Sequence, residues 1–146
     1  MNIRKNLRYA NMLHDNFAGD AGELTAVMQY IYEHIELKRY DNFSKILLSI
    51  AIEEMQHLNL LGDLIKKLGG IPYYINKEKN AWNGENVKYH FSTIYEMLTY
   101  NIETEKKAIE DYKVAIKYTQ NKSIKDLLER IILDEQTHLE IFNRLR

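Results

Sequence analysis

Residues 52–72 read IEEMQHLNLLGDLIKKLGGIP, and this stretch decides the fold of the chain. Its large apolar residues recur at three- and four-residue spacing, which predicts one buried face of a long helix. The glycine pair at 69–70 predicts the end of that helix, because glycine readily adopts the left-handed conformation that closes many helices. Pro72 follows just beyond it, where a helix cannot continue. Glu54 and His57 lie on the apolar face, since residues three apart on a helix are neighbours.

The same spacing predicts four long helices, at about 16–39, 42–68, 93–120 and 123–146. Short turns join the first helix to the second and the third to the fourth, so each pair is expected to be antiparallel. A segment of about 24 residues, 69–92, separates the two pairs. At ~3.3 Å per extended residue it is long enough to return along the whole bundle. We therefore predict an all-α single domain over residues 1–146, a four-helix bundle with a long crossover between its second and third helices.

Composition excludes several classes of function. The 146 residues are 45% hydrophobic and carry a net charge of −1, which gives no reason to expect nucleic acid or an anionic membrane as a partner. The absence of cysteine excludes disulfides, thiolate-bound metals and a cysteine nucleophile. No apolar run approaches the ~20 residues of a membrane span, and residues 1–16 lack the apolar segment of a secretory signal. A cytoplasmic location is expected.

An internal repeat relates the two predicted helix pairs. Its shared features are a glutamate and a tyrosine seven residues apart, at an offset of 82 residues, and a Glu-x-x-His pair, at an offset of 81. Glu23 and Tyr30 match Glu105 and Tyr112, and Glu54 and His57 match Glu135 and His138. The repeated residues are polar, but they stand on apolar helix faces.

Each predicted helix therefore points a glutamate into the bundle, and no Lys or Arg lies on these faces to neutralise it. Buried carboxylates must be paired, protonated or bound to a cation. Two divalent cations would balance four glutamates, and Glu-x-x-His places an oxygen and a nitrogen ligand one turn apart. The predicted ligands of this dimetal site are Glu23, Glu54, His57, Glu105, Glu135 and His138. The alternative is a polar core that only fixes helix pairing.

Other polar residues are assigned no metal. Glu53 stands off the apolar face and is expected at the surface, where its replacement should have little effect. His34 lies near the first apolar face but ~16 Å from Glu23 at ~1.5 Å per residue, which places it at the end of the bundle. His14 and His90 fall in segments outside the predicted core.

Four stretches resemble the ferritin-like superfamily, specifically bacterioferritin and rubrerythrin-type di-iron proteins: GELTAVMQY (22–30), residues 52–72, ETEKKAIEDYKVAI (103–116) and ILDEQTHLEIF (132–142). The resemblance covers about residues 16–146. It implies that Glu23 and Glu105 are terminal carboxylate ligands, that Glu54 and Glu135 bridge the metals, and that His57 and His138 are terminal imidazoles. Tyr30 matches the tyrosine that the family places beside the site, and it is the candidate catalytic residue, although it also fits an ordinary core tyrosine. The implied cofactor is two iron ions per chain, with manganese as the alternative.

The chain departs from the family pattern at several points. Rubrerythrins add a Cys-rich domain and a further carboxylate on the third helix, where this chain has Ala108 and Ile109. The sequence ends eight residues after His138 with no fifth helix, so a 24-subunit cage is not expected. Met55 stands where bacterioferritin has a haem-ligating methionine, but methionine in a helix usually serves packing, so haem is not expected.

The resulting expectation is a dimetal oxidoreductase of the ferroxidase or peroxide-detoxifying type. Its partners would be O2 or H2O2 and Fe(II), with an electron donor that the sequence does not identify. The alternatives are a dimanganese catalase and a non-catalytic, ferritin-like iron-binding or storage protein. A homodimer is expected because the crossover carries four aromatic residues with few buried partners of their own: Tyr73, Tyr74, Trp82 and Tyr89.

Overall fold

The computed structural model describes residues 2–146, which form five α-helices and one short 3-10 helix. The helices are α1 (Leu7–Ala18), α2 (Glu23–Glu36), α3 (Asp41–Lys67), α4 (Ile94–Lys117) and α5 (Lys122–Leu145), and the 3-10 helix is Gly84–Asn86. Helices α2 to α5 make the four-helix bundle. Met1, with which the predicted single domain begins, lies outside the described residues, and the extent of the domain stays a prediction.

The predicted bundle topology is confirmed. Short turns connect α2 to α3 and α4 to α5, and the long segment 68–93 connects α3 to α4. Helix α3 ends as predicted, because Gly69 adopts a φ of 95° and the Gly70 N–H donates to the Ile65 carbonyl at 2.9 Å. Thr93 caps α4 by accepting the Glu96 N–H at 3.0 Å. Asn121 caps α5, two residues before the predicted start of the fourth helix.

The N-terminal part of the chain differs from the prediction. The first predicted helix, 16–39, corresponds to α2, which begins only at Glu23, and the turn at 19–22 separates it from α1, a helix that was not predicted. A Cβ on Gly19 would lie 2.5 Å from the Asp15 carbonyl oxygen, and one on Gly22 would lie 2.7 Å from the same atom. Only glycine therefore fits this sharp turn. Helix α1 packs across α3, on the outside of the bundle.

The buried apolar residues form two clusters, one toward each end of the bundle. One cluster joins α1 to the C-terminal half of α3, around residues such as Leu13 and Leu61. The other joins the N-terminal halves of α3 and α4, around residues such as Leu47 and Leu98. A buried polar layer lies between them, so the bundle isolates that layer from water on both sides.

The crossover follows the surface of the bundle. Trp82 packs against the core, and its Nε1–H donates to Thr25 Oγ1 at 2.9 Å, whereas Tyr73, Tyr74 and Tyr89 stay exposed. The expected exposure of the crossover aromatics is therefore correct for the three tyrosines and wrong for Trp82. Within residues 2–146, no helix is both long and apolar enough to cross a membrane.

Candidate metal centre

The fold brings all six predicted ligand residues together in the middle of the bundle. Each is at most 3% exposed, and they come from all four bundle helices: Glu23 of α2, Glu54 and His57 of α3, Glu105 of α4, and Glu135 and His138 of α5. The helical spacing explains the arrangement, because each Glu-x-x-His pair occupies one helix face one turn apart.

The six residues form two overlapping groups. In each group, one ligand atom from every member lies within 4.8 Å of the others. The first group is Glu23, Glu54, His57 and Glu135, and the second is Glu54, Glu105, Glu135 and His138. Glu54 and Glu135 belong to both groups. This is the geometry of two adjacent positions that share two carboxylates, each completed by one further glutamate and one histidine.

Both histidines direct the same ring nitrogen at the carboxylates. His57 Nδ1 lies 3.1 Å from Glu54, 3.3 Å from Glu135 and 3.5 Å from Glu23. His138 Nδ1 lies 3.4 Å from Glu135, 3.6 Å from Glu54 and 3.7 Å from Glu105. A nitrogen facing three carboxylates requires positive charge beside it, which a proton or a metal ion supplies.

The opposite nitrogen of each ring is held by a carboxylate from the other helix. His57 Nε2–H donates to Asp134 Oδ2 at 2.8 Å, and His138 Nε2–H donates to Glu53 Oε2 at 3.1 Å. The α3 and α5 helices therefore brace each other's histidines. A carboxylate accepting from one imidazole nitrogen fixes the ring and leaves the other nitrogen for a metal.

This bracing corrects the expectation for Glu53. Its side chain is 42% exposed, as a surface residue would be, but it contacts His138 and so supports the centre. Asp134 has the same role and was not predicted from the sequence. Burial raises the pKa of Asp134, but hydrogen bonds from His57 and Arg130 lower it by more, so the carboxylate stays charged. The sequence signal for both residues is an acidic side chain immediately before each Glu-x-x-His pair.

Two buried tyrosines complete the internal symmetry. Tyr30 of α2 donates its hydroxyl hydrogen to Glu105 Oε1 at 2.7 Å, and Tyr112 of α4 donates to Glu23 Oε1 at 2.6 Å. Each tyrosine thus binds the single glutamate of the opposite helix pair. Burial, followed by the charge of the adjacent glutamate, raises the pKa of both tyrosines well above the ordinary value.

The single glutamates resist ionisation. Burial, followed by repulsion from Glu135, raises the pKa of Glu23 to about 7 and that of Glu105 to about 8. The two shared glutamates differ although the repeat makes them equivalent. Burial and the Glu135 charge raise the pKa of Glu54. Glu135 is buried too, but its close contacts with His138 and His57 lower its pKa below the usual range. Two adjacent carboxylates thus favour one proton between them.

The histidines are strongly basic in this environment. Burial lowers the pKa of His57, but the close contacts with Glu135 and Glu23 outweigh it and raise that pKa to about 11. The corresponding contacts with Glu105 and Glu135 outweigh burial and raise the pKa of His138 to about 11. Protons therefore supply the positive charge at the Nδ1 positions when no metal does.

Unpartnered atoms test whether the residues fit metal ions. Within residues 2–146, seven buried side-chain nitrogen or oxygen atoms make no hydrogen bond, and five of them belong to this cluster. These five are Glu23 Oε2, Glu54 Oε2, Glu105 Oε2, Glu135 Oε1 and His138 Nδ1. Oxygen and imidazole nitrogen are the donors that iron and manganese accept. The donor set, its burial and its unpartnered atoms all fit two such ions.

A pocket between α2 and α4 reaches the cluster. It extends from the partly exposed residues Ala21, Tyr100 and Thr104 to Glu54 and Glu135. Small residues line its walls, among them Ala26 and Ala108. Ala108, which stands where rubrerythrins have a third-helix carboxylate, thus contributes only a methyl group to this wall.

His14 is a further correction. It is buried in α1, where its Nδ1 lies 3.0 Å from the Ile75 carbonyl oxygen of the crossover. It therefore ties α1 to the crossover and lies outside the six-residue cluster. Apolar residues four apart on α1, Tyr9, Leu13 and Phe17, are the signal that predicts this helix and its buried face.

The fold and the cluster together define the class of protein. The model of the ferritin-like domain matches residues 20–145, and the chain belongs to this family. Its buried cluster of glutamates and histidines is a dimetal-carboxylate site.

Particular relatives include two kinds of ferritin-like protein. The chain is 32% identical over 130 residues to the bacterioferritin of Desulfovibrio desulfuricans, covering 86% of this chain and 68% of that one. The structure of that bacterioferritin superposes with a TM-score of 0.77 at 27% identity, over 94% of this chain and 77% of that one. A probable manganese catalase of Clostridium acetobutylicum is 22% identical over 160 residues, covering 95% of this chain and 70% of the relative. The manganese catalase KatB of Anabaena superposes with a TM-score of 0.91 at 25% identity, over 99% of this chain and 74% of that one.

Proposed function

We propose that the protein is a dimetal-carboxylate oxidoreductase that reacts with H2O2 or O2. The observation that carries the proposal is the sharing of Glu54 and Glu135 between two four-residue groups, which fits a pair of metal ions rather than one. In this proposal Glu54 and Glu135 would be shared by the two ions. Glu23 with His57 completes one site, and Glu105 with His138 completes the other.

The protein contributes position, charge and exclusion of water. When bound, iron or manganese supplies the electrons and the open coordination positions for the reaction. The four glutamates neutralise two divalent ions, while Glu53 and Asp134 fix the histidine rings. In this proposal the pocket between α2 and α4 is the entry for H2O2, O2 or Fe(II). Tyr30 remains the proposed catalytic residue, because it lines that pocket and its hydroxyl donates to Glu105.

Iron oxidation and peroxide reduction are the first candidate activities, as in a ferroxidase or a peroxide-detoxifying protein. Manganese catalase activity is the second, and the 0.91 TM-score with the Anabaena manganese catalase, against 0.77 with the bacterioferritin, favours it. Both candidates use the same six residues. Non-catalytic iron binding or storage is the alternative from a different class.

Metal reconstitution followed by gas measurement separates these functions. Metal-free protein would be loaded with Fe(II) or Mn(II) without oxygen, and metal per chain would be measured. Two equivalents are expected. A catalase then releases one O2 for every two H2O2, whereas a ferroxidase consumes O2 as it oxidises Fe(II). The exposed, unpaired Glu140→Gln variant is the control. Saturation at one metal, or none, would contradict the dimetal site, and metal binding without turnover would favour storage.

We also propose a homodimer. Exposed apolar residues lie on the outer faces of α2 and α3 and in the crossover: Met28, Ile35, Ile52, Met55, Tyr73, Tyr74 and Tyr89. Two-fold pairing is the commonest way to cover such a surface. Light scattering is expected to give ~35 kDa for two 17.4 kDa chains. A mass of ~420 kDa would instead indicate a 24-subunit cage and revive storage.

A further inference from the structure

A second buried polar group lies outside the six-residue cluster. It consists of Gln29 and Glu33 of α2 and Asn101 of α4, which are 3%, 1% and 0% exposed. Asn101 Nδ2 donates to Glu33 Oε1 at 2.7 Å, and Gln29 Nε2 donates to Glu33 Oε2 at 2.9 Å. Within residues 2–146 the Glu33 carboxyl forms no ion pair, so two neutral amides are its hydrogen-bond partners.

This group lies one helical turn from the candidate metal centre. Glu33 follows Tyr30 by three residues on α2, and Asn101 precedes Glu105 by four on α4. The Glu33–Asn101 contact is therefore a second link between the same two helices, beside the Tyr30–Glu105 hydrogen bond. Asn101 Oδ1 and Glu105 Oε2 are both buried without a hydrogen-bond partner, so acceptor atoms are available on both links.

Packing does not require a carboxyl at this position. The repeat offset of 82 residues, which equates Tyr30 with Tyr112, places Ala115 opposite Glu33. Ala115 is fully buried, so the other half of the bundle fills the equivalent space with a methyl group. The chain thus has a buried carboxyl, which costs folding free energy, beside only one of its two tyrosine–glutamate pairs.

Glu33 also lies beside a cavity at the protein surface. It lines a surface cavity formed by the end of α2 and the crossover, together with Tyr32 and His90. Its partner Gln29 holds the crossover at this place, because it accepts the Lys88 N–H at 2.9 Å and donates to the Lys88 carbonyl at 2.8 Å. The carboxyl therefore stands between a solvent-facing cavity and the Tyr30–Glu105 pair.

We propose that Glu33 exchanges protons between this surface cavity and the neighbouring metal centre, from its position beside the Tyr30–Glu105 pair. The inference deepens the proposed function and rests on it. Reduction of one H2O2 to two H2O consumes two electrons, which the two bound metals supply, and two protons. Glu33 releases these two protons one after the other, and after each release its carboxylate regains a proton from solvent through the cavity. Glu33 contacts no reacting atom, so it is a positioning residue that supplies protons indirectly and is not a catalytic residue.

The electrostatics agree with this geometry. Burial raises the pKa of Glu33 to about 8, although hydrogen bonds from Asn101 and Gln29 oppose the rise. The carboxyl is thus protonated near pH 7 and close to its ionisation point, as a proton-exchange group must be. The titratable or charged groups around it are Tyr30, Tyr32 and Glu36 of α2, Arg39 after α2, Lys88 and His90 of the crossover, and Tyr100 of α4.

The test compares wild type, Glu33→Gln and the exposed control Glu140→Gln, all loaded with metal. Gln keeps the size and hydrogen bonding of Glu33 but carries no exchangeable acid proton. The first readout is metal per chain, which is expected to stay at two in every variant. The second is the infrared band of a protonated carboxyl. The metal ligands are ionised when loaded, so a band that titrates near pH 8 in wild type and is absent from Glu33→Gln is expected.

The third readout is the pH profile of single-turnover H2O2 reduction. Glu33→Gln is expected to slow it about 10- to 100-fold at pH 7 and to remove the dependence on an ionisation near pH 8. An unchanged rate and pH profile, or the same infrared band in the variant, would overturn the inference. If Glu33→Gln does not fold, a loaded wild type without the band would overturn it equally. A wild type that binds no metal or leaves H2O2 intact would overturn the proposed function, and the inference with it.

Discussion

The α2–α3 and α4–α5 helix pairs carry equivalent candidate ligands but differ in what surrounds those residues. Each pair provides one single glutamate, one shared glutamate, one histidine and one tyrosine. Outside this set the pairs diverge. The buried acid Glu33 lies three residues after Tyr30, whereas Ala115 lies three residues after Tyr112. The Ala115 carbonyl accepts the hydroxyl hydrogen of Tyr9 of α1 at 2.7 Å. The repeat thus keeps the six residues of the cluster and both tyrosines, whereas the position three residues after each tyrosine differs between the two halves.

The largest expected effect distinguishes shared ligands from single ones. Glu54→Gln and Glu135→Gln each remove a charge that both metal positions use, so metal content is expected to fall from two per chain toward zero. Glu23→Gln and Glu105→Gln each weaken one position, so about one metal is expected to remain. Elemental analysis after reconstitution measures the difference.

Equal losses in all four variants would contradict the assignment of bridging and single roles. Glu140→Gln is the matched control, because it changes an exposed glutamate on α5 without touching the cluster.

The next expected effect is a pH dependence of stability in the metal-free protein. The folded-state pKa values of Glu23, Glu105 and the two histidines lie above their unfolded values. The native state therefore binds more protons than the unfolded state between pH 6 and 8, and stability falls as pH rises. Each extra proton corresponds to about 1.4 kcal/mol per pH unit, and several groups each hold one over part of this window, so the fall in stability across it is expected to exceed ~3 kcal/mol.

Urea denaturation at pH 6, 7 and 8 measures this slope, with and without saturating metal. Metal replaces the protons of the cluster, so the loaded protein is expected to keep only the smaller slope that Glu33, with its pKa of about 8, contributes, and to unfold at higher denaturant concentration. A flat profile for the metal-free protein would show that the glutamates are solvated.

Much of the fold was predictable because the apolar residues and the buried polar residues of each helix recur at the same three- and four-residue spacing. The apolar faces that carry Glu54 with His57 and Glu135 with His138 predict the bundle and place four ligand candidates at once. The ferritin-like family and the all-α bundle are confirmed. The roles of the six residues as metal ligands stay a prediction, although the structure places them together.

The features that were not predicted from the sequence depend on contacts between different helices and turns. The break at Gly19 follows from the approach of the Asp15 carbonyl, which spacing alone does not reveal. Glu53 stands off the apolar face of its own helix, and it reaches His138 only because α5 packs beside α3. Glu33 lies one turn past Tyr30, but its burial depends on Asn101, which approaches from α4.

The third prediction concerns the two bracing carboxylates, which the repeat makes equivalent. Glu53→Gln is expected to weaken metal binding at the position of His138, and Asp134→Asn at the position of His57, each about 10- to 100-fold. The cause is loss of the charge that orients each imidazole. Competitive metal titration measures both affinities.

Exposed Asp126→Asn is the control for Asp134→Asn, since it lies on the same helix without contacting a histidine. If neither bracing variant changes affinity, Glu53 is the plain surface residue that its sequence position predicted.

The smallest expected effect comes from the tyrosines, and it bears most directly on the difference between the two halves. Tyr30→Phe and Tyr112→Phe each remove one hydroxyl that binds a single glutamate, so both are expected to lower metal affinity by less than about tenfold, and by similar factors. Only Tyr30 also neighbours Glu33, so only Tyr30→Phe is expected to slow single-turnover H2O2 reduction beyond its effect on metal content. Rates compared at full metal occupancy make this distinction. Equal slowing by the two variants would show that the tyrosines act only through their glutamates, and that the halves of the centre are equivalent in proton supply as well as in ligands.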